Sequence, residues 1–235
     1  MTLIDKTSLR KILPRPQISL LAYFLDLLAE ENKKMNLIGA SSSGQIIEAH
    51  LLDSLSLLDF EEVRDSRQAI DVGSGAGFPG IPLAIALPNL NLTLLDSNAK
   101  KCGFLSRVTG ILGLSNVEVI WERAETAGRS RFRDNYDLAL ARALGPLPLA
   151  LEYVLPFVEP GGHCVLQRGQ RQTGDTDVAA AVACLLSGEL DRVTPVKPYP
   201  SARNLHVWVF TKVGKTPTAF PRRPGQAKKR PLAAS

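Results

Sequence analysis

A cluster of glycines marks one segment of the chain as a place where chemistry could occur. Glycine loses more backbone freedom on folding than any other residue, so such a cluster needs a reason. It follows the apolar run Ala69–Val72 and precedes a helical pattern, an arrangement that lets a ligand approach bare backbone amides. We therefore predict a ligand-binding turn, with a turn made only for close packing as the alternative. The glycines are Gly73, Gly75, Gly77 and Gly80.

The spacing of these glycines is compatible with two kinds of cofactor. The pattern Gly75-x-Gly77-x-x-Gly80, followed about twenty residues later by Asp96, satisfies a dinucleotide fingerprint, so a nicotinamide-dependent oxidoreductase is one hypothesis. Asp71 argues against it, because a carboxylate directly before the loop would repel a pyrophosphate, but could anchor loop amides or face an ammonium group. Two prolines in the first helical turn also remove amides that would bind phosphate. A ligand with an amino-acid moiety and a ribose fits better, which favours S-adenosylmethionine.

Asp96 has a clear role in such a site. It ends the apolar strand pattern "LTLLD", where a carboxylate can accept two hydrogen bonds from ribose hydroxyls. As the alternative, it caps the helix predicted over 98–112, a role that Ser97 or Asn98 could take instead. We predict that Asp96 binds the ribose.

Composition limits the class of protein. The chain has 235 residues, 45% of them hydrophobic, and can bury a sizeable core. No apolar run reaches the roughly 18 residues of a membrane helix, and the N-terminus lacks a signal-like core, so we expect a cytoplasmic protein without a membrane partner. Three scattered cysteines favour neither a disulfide framework nor a metal site. Nothing demands more than a monomer.

The net charge of +5 is located at the C-terminus. Seven basic residues and no acidic ones lie between Lys212 and Ser235, and the remaining 21 basic and 23 acidic residues leave a net of −2. Four prolines break this segment, so we expect a flexible tail that does not pack and whose removal leaves cofactor affinity unchanged. Its charge indicates a polyanionic partner, with a solubilising end as the alternative.

Strand and helix patterns alternate along the chain, which predicts a parallel α/β sheet with helices on both faces. Two helices, Gln17–Lys34 and Gln45–Leu58, precede it. This predicts an N-terminal helical cap at 1–60, an α/β domain at 61–213 and the tail at 214–235. The predicted strands are Ala69–Val72, Leu92–Leu95, Val117–Ile120, Leu138–Ala141 and His163–Gln167, then the pair Arg192–Pro198 and Leu205–Lys212, with helices at about 80–87, 98–112, 123–127 and 146–155.

Ordered motifs connect most of the chain to a known family. They include "MNLIG", "HLLDSL", "DVGSGAGFPGIPLAI", "LLDSNAKKCGFL", "ERAE", "LARA", "LPFVEPGG" and "PRRPGQAKKRPL". In these the chain resembles the ribosomal RNA small-subunit methyltransferase G family, also called glucose-inhibited division protein B. The resemblance implies a Rossmann-like class I methyltransferase fold and transfer of methyl from S-adenosylmethionine to N7 of a guanosine. The implied partner is 16S ribosomal RNA or the small ribosomal subunit.

The resemblance also implies roles for particular residues. Gly73 and Phe78 in the loop are expected to contact the cofactor, with Phe78 as an apolar wall. Ala124 and Glu125 of "ERAE" are expected beside the adenine, whose edge Glu125 or its neighbouring amides could bind. Arg142 of "LARA" is expected to line the site as a fixed cation.

The predicted reaction needs no catalytic base, because guanine N7 has a free lone pair and no proton. We therefore assign no catalytic residue and expect orientation to supply much of the rate. His50 and Asp53 share one helix face. They could line the cofactor pocket or receive the base, which His50 and Arg142 would position, or they could instead fix the cap to the sheet. Lys100 and Lys101 could contact RNA, although an ordinary solvated helix face is the simpler interpretation.

Overall fold

A computed structural model describes residues 13–38, 44–170 and 172–233, without the side chains of 44–48. The first twelve residues of the predicted cap and the last two of the tail lie outside the described residues. Two helices come first, α1 (Arg15–Met35) and α2 (Gly44–Leu55). Helix α1 ends where Asn36 adopts a left-handed φ of 50° and donates its N–H to the carbonyl of Asn32.

The sheet has seven strands in the order β3-β2-β1-β4-β5-β7-β6. Strands β1 to β5 are parallel, and β7 pairs antiparallel with both β5 and β6. The strand order reverses between β1 and β4, and ligands bind at such a switch point in open α/β sheets. The predicted strands are confirmed: β1 to β5 are longer than predicted, β7 has the predicted bounds, and β6 begins four residues earlier and ends two residues earlier than predicted. They are β1 (Gln68–Val72), β2 (Asn91–Asp96), β3 (Val117–Trp121), β4 (Tyr136–Arg142), β5 (Val158–Arg168), β6 (Gly188–Val196) and β7 (Leu205–Lys212).

Helices cover both faces of the sheet, and each face has its own apolar core. The cap helices share the core of one face with β1 and β2, so the cap is continuous with the sheet. The sequence pattern does not predict the helix Asp175–Leu185, because its run of alanines and valines has little polar contrast. None of the described helices has the length and apolar character to cross a membrane. The remaining helices are α3 (Glu61–Arg64), α4 (Gly80–Ala86), α5 (Ala99–Leu112), α6 (Ala124–Ala127), α7 (Leu147–Val154), α8 (Asp175–Leu185) and α9 (Gln226–Lys229).

The C-terminal segment packs against the domain, and our expectation of a tail that does not pack is wrong. Arg129 and Arg133 donate hydrogen bonds to backbone carbonyls between 216 and 221. Arg222 forms a two-pronged ion pair with the buried carboxylate of Glu152, and Ala227 is fully buried. Prolines exclude long helices and strands here, but they leave the carbonyls free to accept hydrogen bonds.

A buried lysine begins this segment. Lys212 at the end of β7 is fully buried, and its ammonium contacts Asp134 Oδ1 at 3.2 Å, the carbonyl of Leu155 at 2.8 Å and the hydroxyl of Thr216. Burial alone would raise the pKa of Asp134, but hydrogen bonds from Thr216 and the charge of Lys212 hold it below its ordinary value. The pair therefore fixes the start of the C-terminal segment to the domain.

We expect Asp134→Asn to lower the free energy of unfolding by about 3 kcal/mol, because it leaves the Lys212 ammonium buried without a countercharge. The folded pKa of Asp134 is lowered, so its contribution is complete above the ordinary value of 3.8 and is lost as the pH falls through the folded pKa. Urea unfolding at several pH values measures both effects. Glu30→Gln breaks an exposed pair with Lys33 and is the matched control, with a change under about 0.5 kcal/mol. Equal effects of the two variants would contradict the prediction.

Candidate active site

The glycine-rich turn connects β1 to α4 in a conformation that requires glycine. Gly73, Gly75 and Gly77 have φ values of +77°, +60° and +95°. A Cβ on Gly73 would also lie 2.7 Å from the side chain of Leu144. Asp71 Oδ2 accepts a hydrogen bond from the Gly80 amide at 3.1 Å. Asp71 therefore anchors a loop amide, which is one of the two roles that we predicted for it.

Asp96 links the end of β2 to this turn. Its Oδ2 accepts a hydrogen bond from the Gly75 amide at 2.9 Å, and its Oδ1 accepts one from the Asn98 amide at 2.8 Å. Helix α5 is capped by Asn98, whose side chain accepts from the amides of Lys100 and Lys101 at 3.0 and 3.3 Å. A carboxylate has about four acceptor positions, so Asp96 retains capacity for a ligand hydroxyl.

A cavity of about 330 Å³ lies at this edge of the sheet, and we call it the cofactor cavity. Five of the predicted cofactor residues line it, whereas Gly75, Gly77 and Phe78 are not among its lining residues. Sequence reasoning missed Lys101, Leu144 and Tyr153, which also line it; Leu144 follows "LARA" almost directly, and Tyr153 gave no signal. The five predicted residues are Gly73, Asp96, Ala124, Glu125 and Arg142.

Phe78 does not line this cavity, and its predicted contact with the cofactor stays a prediction. The ring packs edge-on against Phe24 at 5.3 Å between centroids and tilted against His50 at 5.6 Å. The guanidinium of Arg142 lies 5.0 Å from the ring centroid, within the range of a cation–π contact. Phe78 therefore supports Arg142 and joins the turn to the cap.

The carboxylate of Glu125, which lines the cofactor cavity, contacts protein groups. Its Oε1 accepts hydrogen bonds from the Tyr153 hydroxyl at 3.0 Å, from Arg123 at 3.1 Å and from the Gly225 amide at 2.8 Å. Burial alone would raise the pKa of Glu125, but these hydrogen bonds together lower it. The backbone amides of 124 and 125, in the first turn of α6, remain the groups suited to an adenine edge.

Arg142 connects the end of β4 to helix α2. One guanidinium nitrogen lies 3.2 Å from His50 Nδ1 and 3.5 Å from Asp53 Oδ2. Burial and then the charge of Arg142 lower the pKa of His50 to about 4, so the ring is neutral near pH 7. Since Nδ1 accepts from a permanent donor, we assign the ring proton to Nε2.

These residues border a second cavity of about 260 Å³, which we call the base cavity. His50, Asp53 and Gln167 line it, and Arg142 and Ala143 line both cavities. Gln167 Nε2 donates to the carbonyl of Asp53 at 2.7 Å, which also fixes the cap to β5. Asp53 therefore both lines a cavity and makes a structural contact, which we had predicted as alternatives.

The acceptors at this edge of the sheet fit the hydroxyl and ammonium groups of S-adenosylmethionine. Asp71 Oδ1 is a buried acceptor without a partner among the described residues, and it directly precedes the turn. At Gly73 a Cβ would lie 2.7 Å from Leu144 Cδ1, so the turn packs closely against Leu144 at this point. Asp96 lines the cavity and has acceptor capacity left for a ligand hydroxyl. In the part of the chain that the structure describes, no group of three or more His, Cys, Asp or Glu side chains could hold a metal ion.

The family model for rRNA small subunit methyltransferase G matches residues 17–204. The chain belongs to this family. A protein of Thermoanaerobacter pseudethanolicus named ribosomal RNA small subunit methyltransferase G is 38% identical over 208 residues, which cover 88% of this chain and 86% of that protein. A protein of the same name from Carboxydothermus hydrogenoformans is 39% identical over 219 residues, 93% of each chain.

Solved structures are similar in fold. The O-methyltransferase from Bacillus cereus aligns with a TM-score of 0.57 and 13% identity, covering 81% of this chain and 91% of that one. TomG from Streptomyces achromogenes aligns with a TM-score of 0.55 and 16% identity, covering 81% and 90%. The predicted family, the class I methyltransferase fold and S-adenosylmethionine as cofactor are confirmed. The hypothesis of a nicotinamide-dependent oxidoreductase is wrong.

We expect Asp96→Ala to weaken S-adenosylmethionine binding by about 1–3 kcal/mol, because it removes a charged acceptor and releases the Gly75 amide. Isothermal titration calorimetry measures the change. Asp26→Ala, at an exposed position of α1, is the control and leaves the affinity as it is in the wild type. Unchanged affinity in a folded Asp96→Ala protein would reject the assignment of Asp96 to the ribose.

Proposed function

We propose that the two cavities form one active site for methyl transfer to N7 of a guanosine in 16S ribosomal RNA. S-adenosylmethionine occupies the cofactor cavity, and the target guanine occupies the base cavity. The observation that carries this proposal is the shared wall, because Arg142 and Ala143 line both cavities. The protein acts as a monomer in the cytoplasm.

Asp96 and the start of α6 hold the cofactor in this proposal. Asp96 accepts hydrogen bonds from the ribose hydroxyls, and the amides of 124 and 125 bind the adenine edge. S-adenosylmethionine, when bound, supplies a methyl group on a positively charged sulfonium. Family membership supports this assignment together with the grouping of Gly73, Asp96, Ala124 and Glu125 around one cavity.

His50 and Arg142 position the guanine without removing a proton. Guanine N7 carries a lone pair in the ring plane, so the chain needs to orient the base and exclude water. The pKa of His50 is about 4, so its ring is neutral. Because Nδ1 accepts a hydrogen bond from Arg142, the ring donates through Nε2. It therefore orients the base as a donor and does not act as a general base.

Asp53 balances the charge of Arg142 beside a base that becomes positively charged. Methylation at N7 gives the guanine a positive charge, which an unpaired guanidinium would repel. The side chains of Asp53 and Arg142 are only 14% and 15% exposed and form an ion pair, so little net charge faces the base cavity. This pairing makes the cavity tolerant of a cationic product.

The exposed cations of the C-terminal segment contact ribosomal RNA. Of the seven basic residues, Lys212 and Arg222 are bound to Asp134 and Glu152, so they hold the segment in place. The other five are exposed, and a segment that is already packed presents them with little loss of freedom on binding. These five are Lys215, Arg223, Lys228, Lys229 and Arg230.

The direct test is transfer of labelled methyl to small-subunit RNA, with the modified nucleoside identified by mass spectrometry as 7-methylguanosine. With saturating cofactor and RNA, we expect a single-turnover rate that is flat between about pH 6 and 8.5, because no side chain loses a proton in the step. The pKa of His50, about 4, lies below this window. An acidic limb between pH 6 and 7 that disappears in His50→Gln would contradict the mechanism.

We expect replacement of Arg223, Lys228, Lys229 and Arg230 by Gln to flatten the log–log salt dependence of RNA binding by about 3 units, at about 0.7 per phosphate. Cofactor affinity stays at the wild-type value in this variant. Deletion of 215–235 differs, because it also removes the Gly225 amide from Glu125 and Arg222 from Glu152. It therefore weakens cofactor binding too, in contrast to the expectation from sequence.

Fluorescence anisotropy across a salt series, with calorimetry for the cofactor, separates the two variants. An unchanged salt slope in the four-residue variant would show that the exposed cations do not contact RNA. Unchanged cofactor affinity in the deletion would show that the segment does not support the cofactor cavity.

A further inference from the structure

Gln167 at the end of β5 has one polar atom in use and one free. Its Nε2 donates hydrogen bonds to the Asp53 carbonyl at 2.7 Å and to Asp53 Oδ1 at 3.2 Å. Because both of these atoms are acceptors, the orientation of the amide is fixed, with Oε1 as the other atom. Gln167 Oε1 is buried and has no hydrogen-bond partner among the described residues.

An unpartnered acceptor of this kind is rare and costly in a folded protein. The described residues hold three such side-chain atoms, on Gln17, Asp71 and Gln167. Of these three residues, Gln167 is the one that lines the base cavity, and only 4% of it is exposed. A ligand that enters this cavity and reaches Oε1 with a hydrogen-bond donor would satisfy the atom.

The chemistry of the purines identifies the matching donor. Guanine carries an amino group at C2, whereas adenine carries only a hydrogen there. N7 lies on the other ring of the purine, on the side away from C2. A base held through its 2-amino group therefore keeps N7 free for methyl transfer.

We propose that Gln167 Oε1 accepts a hydrogen bond from the 2-amino group of the target guanine and so selects guanine over other purines. This rests on the proposed function, because it assigns the base cavity to the substrate. Gln167 is a specificity-determining residue, and Asp53 holds its amide in the orientation that presents Oε1. A base without a donor at C2 leaves Oε1 buried and unsatisfied, which is how such a site rejects an analogue.

The test compares small-subunit RNA that carries either guanosine or inosine at the target position. Inosine lacks the 2-amino group and retains N7, O6 and N1–H. We expect the wild-type protein to methylate the guanosine RNA at least about tenfold more efficiently, as the single-turnover rate divided by the half-saturating RNA concentration. In Gln167→Met, which keeps the length of the side chain without an oxygen, we expect the ratio to approach one.

Gln17→Met is the matched control, because it makes the same substitution at a glutamine whose Oε1 also lacks a partner among the described residues but which does not line the base cavity. It keeps the wild-type preference for guanosine. Thermal unfolding of each variant establishes that it is folded. A role of Gln167 that is only structural would lower both rates and leave their ratio unchanged.

The possible outcomes distinguish a failure of the role of Gln167 from a failure of the proposed function. Equal efficiency of the wild-type protein on both RNAs overturns the inference, and this measurement needs no variant. A ratio in Gln167→Met equal to that of the wild type also overturns it. Failure of the wild-type protein to methylate the guanosine RNA contradicts the proposed function itself.

Discussion

The guanidinium of Arg142 is the contact on which the arrangement of the site depends. It stands at the end of β4, largely buried, and it contacts His50, Asp53 and the ring of Phe78. A cation in this environment requires a countercharge and acceptors, or its burial would be strongly unfavourable. Helix α2 supplies both, through Asp53 and His50, so these contacts of Arg142 fix the cap against the sheet. Burial and then the charge of Arg142 lower the pKa of His50, and Arg142 lies in the wall that the two cavities share.

The buried carboxylate of Glu125 connects several elements around the cofactor cavity. Glu125 contacts Tyr153 of α7 and the Gly225 amide, while Glu152, also on α7, binds Arg222. The C-terminal segment therefore shares two carboxylates with the frame of the cavity. Displacement of this segment would leave Glu125 and Glu152 buried with fewer partners. The hydrogen bonds of Glu125 and Glu152 therefore join the C-terminal segment to the elements that frame the cofactor cavity.

Local signals in the sequence were sufficient for the sheet and for part of the site. Alternating apolar runs predicted the strands, and the glycines with Asp96 predicted the turn at the carboxyl end of β1. These features depend on residues close together in the chain, where spacing determines geometry. Helix α8 was missed because its alanines and valines give little contrast between faces. The sequence therefore predicts the positions of elements better than the partners of their side chains.

The partners that sequence reasoning missed are separated by long stretches of chain. Glu125 and Gly225 lie 100 residues apart, and Arg142 and His50 lie 92 apart, so neither spacing carries a signal. The charge count correctly located the excess of cations, but it could not tell the two that hold the segment from the five that face solvent. Proline content was misleading for a related reason. It excludes extended regular structure, yet a chain without regular structure can still pack where arginines such as Arg133 bind its carbonyls. Side chains of the domain therefore hold this basic segment in place, and only the folded chain brings them together.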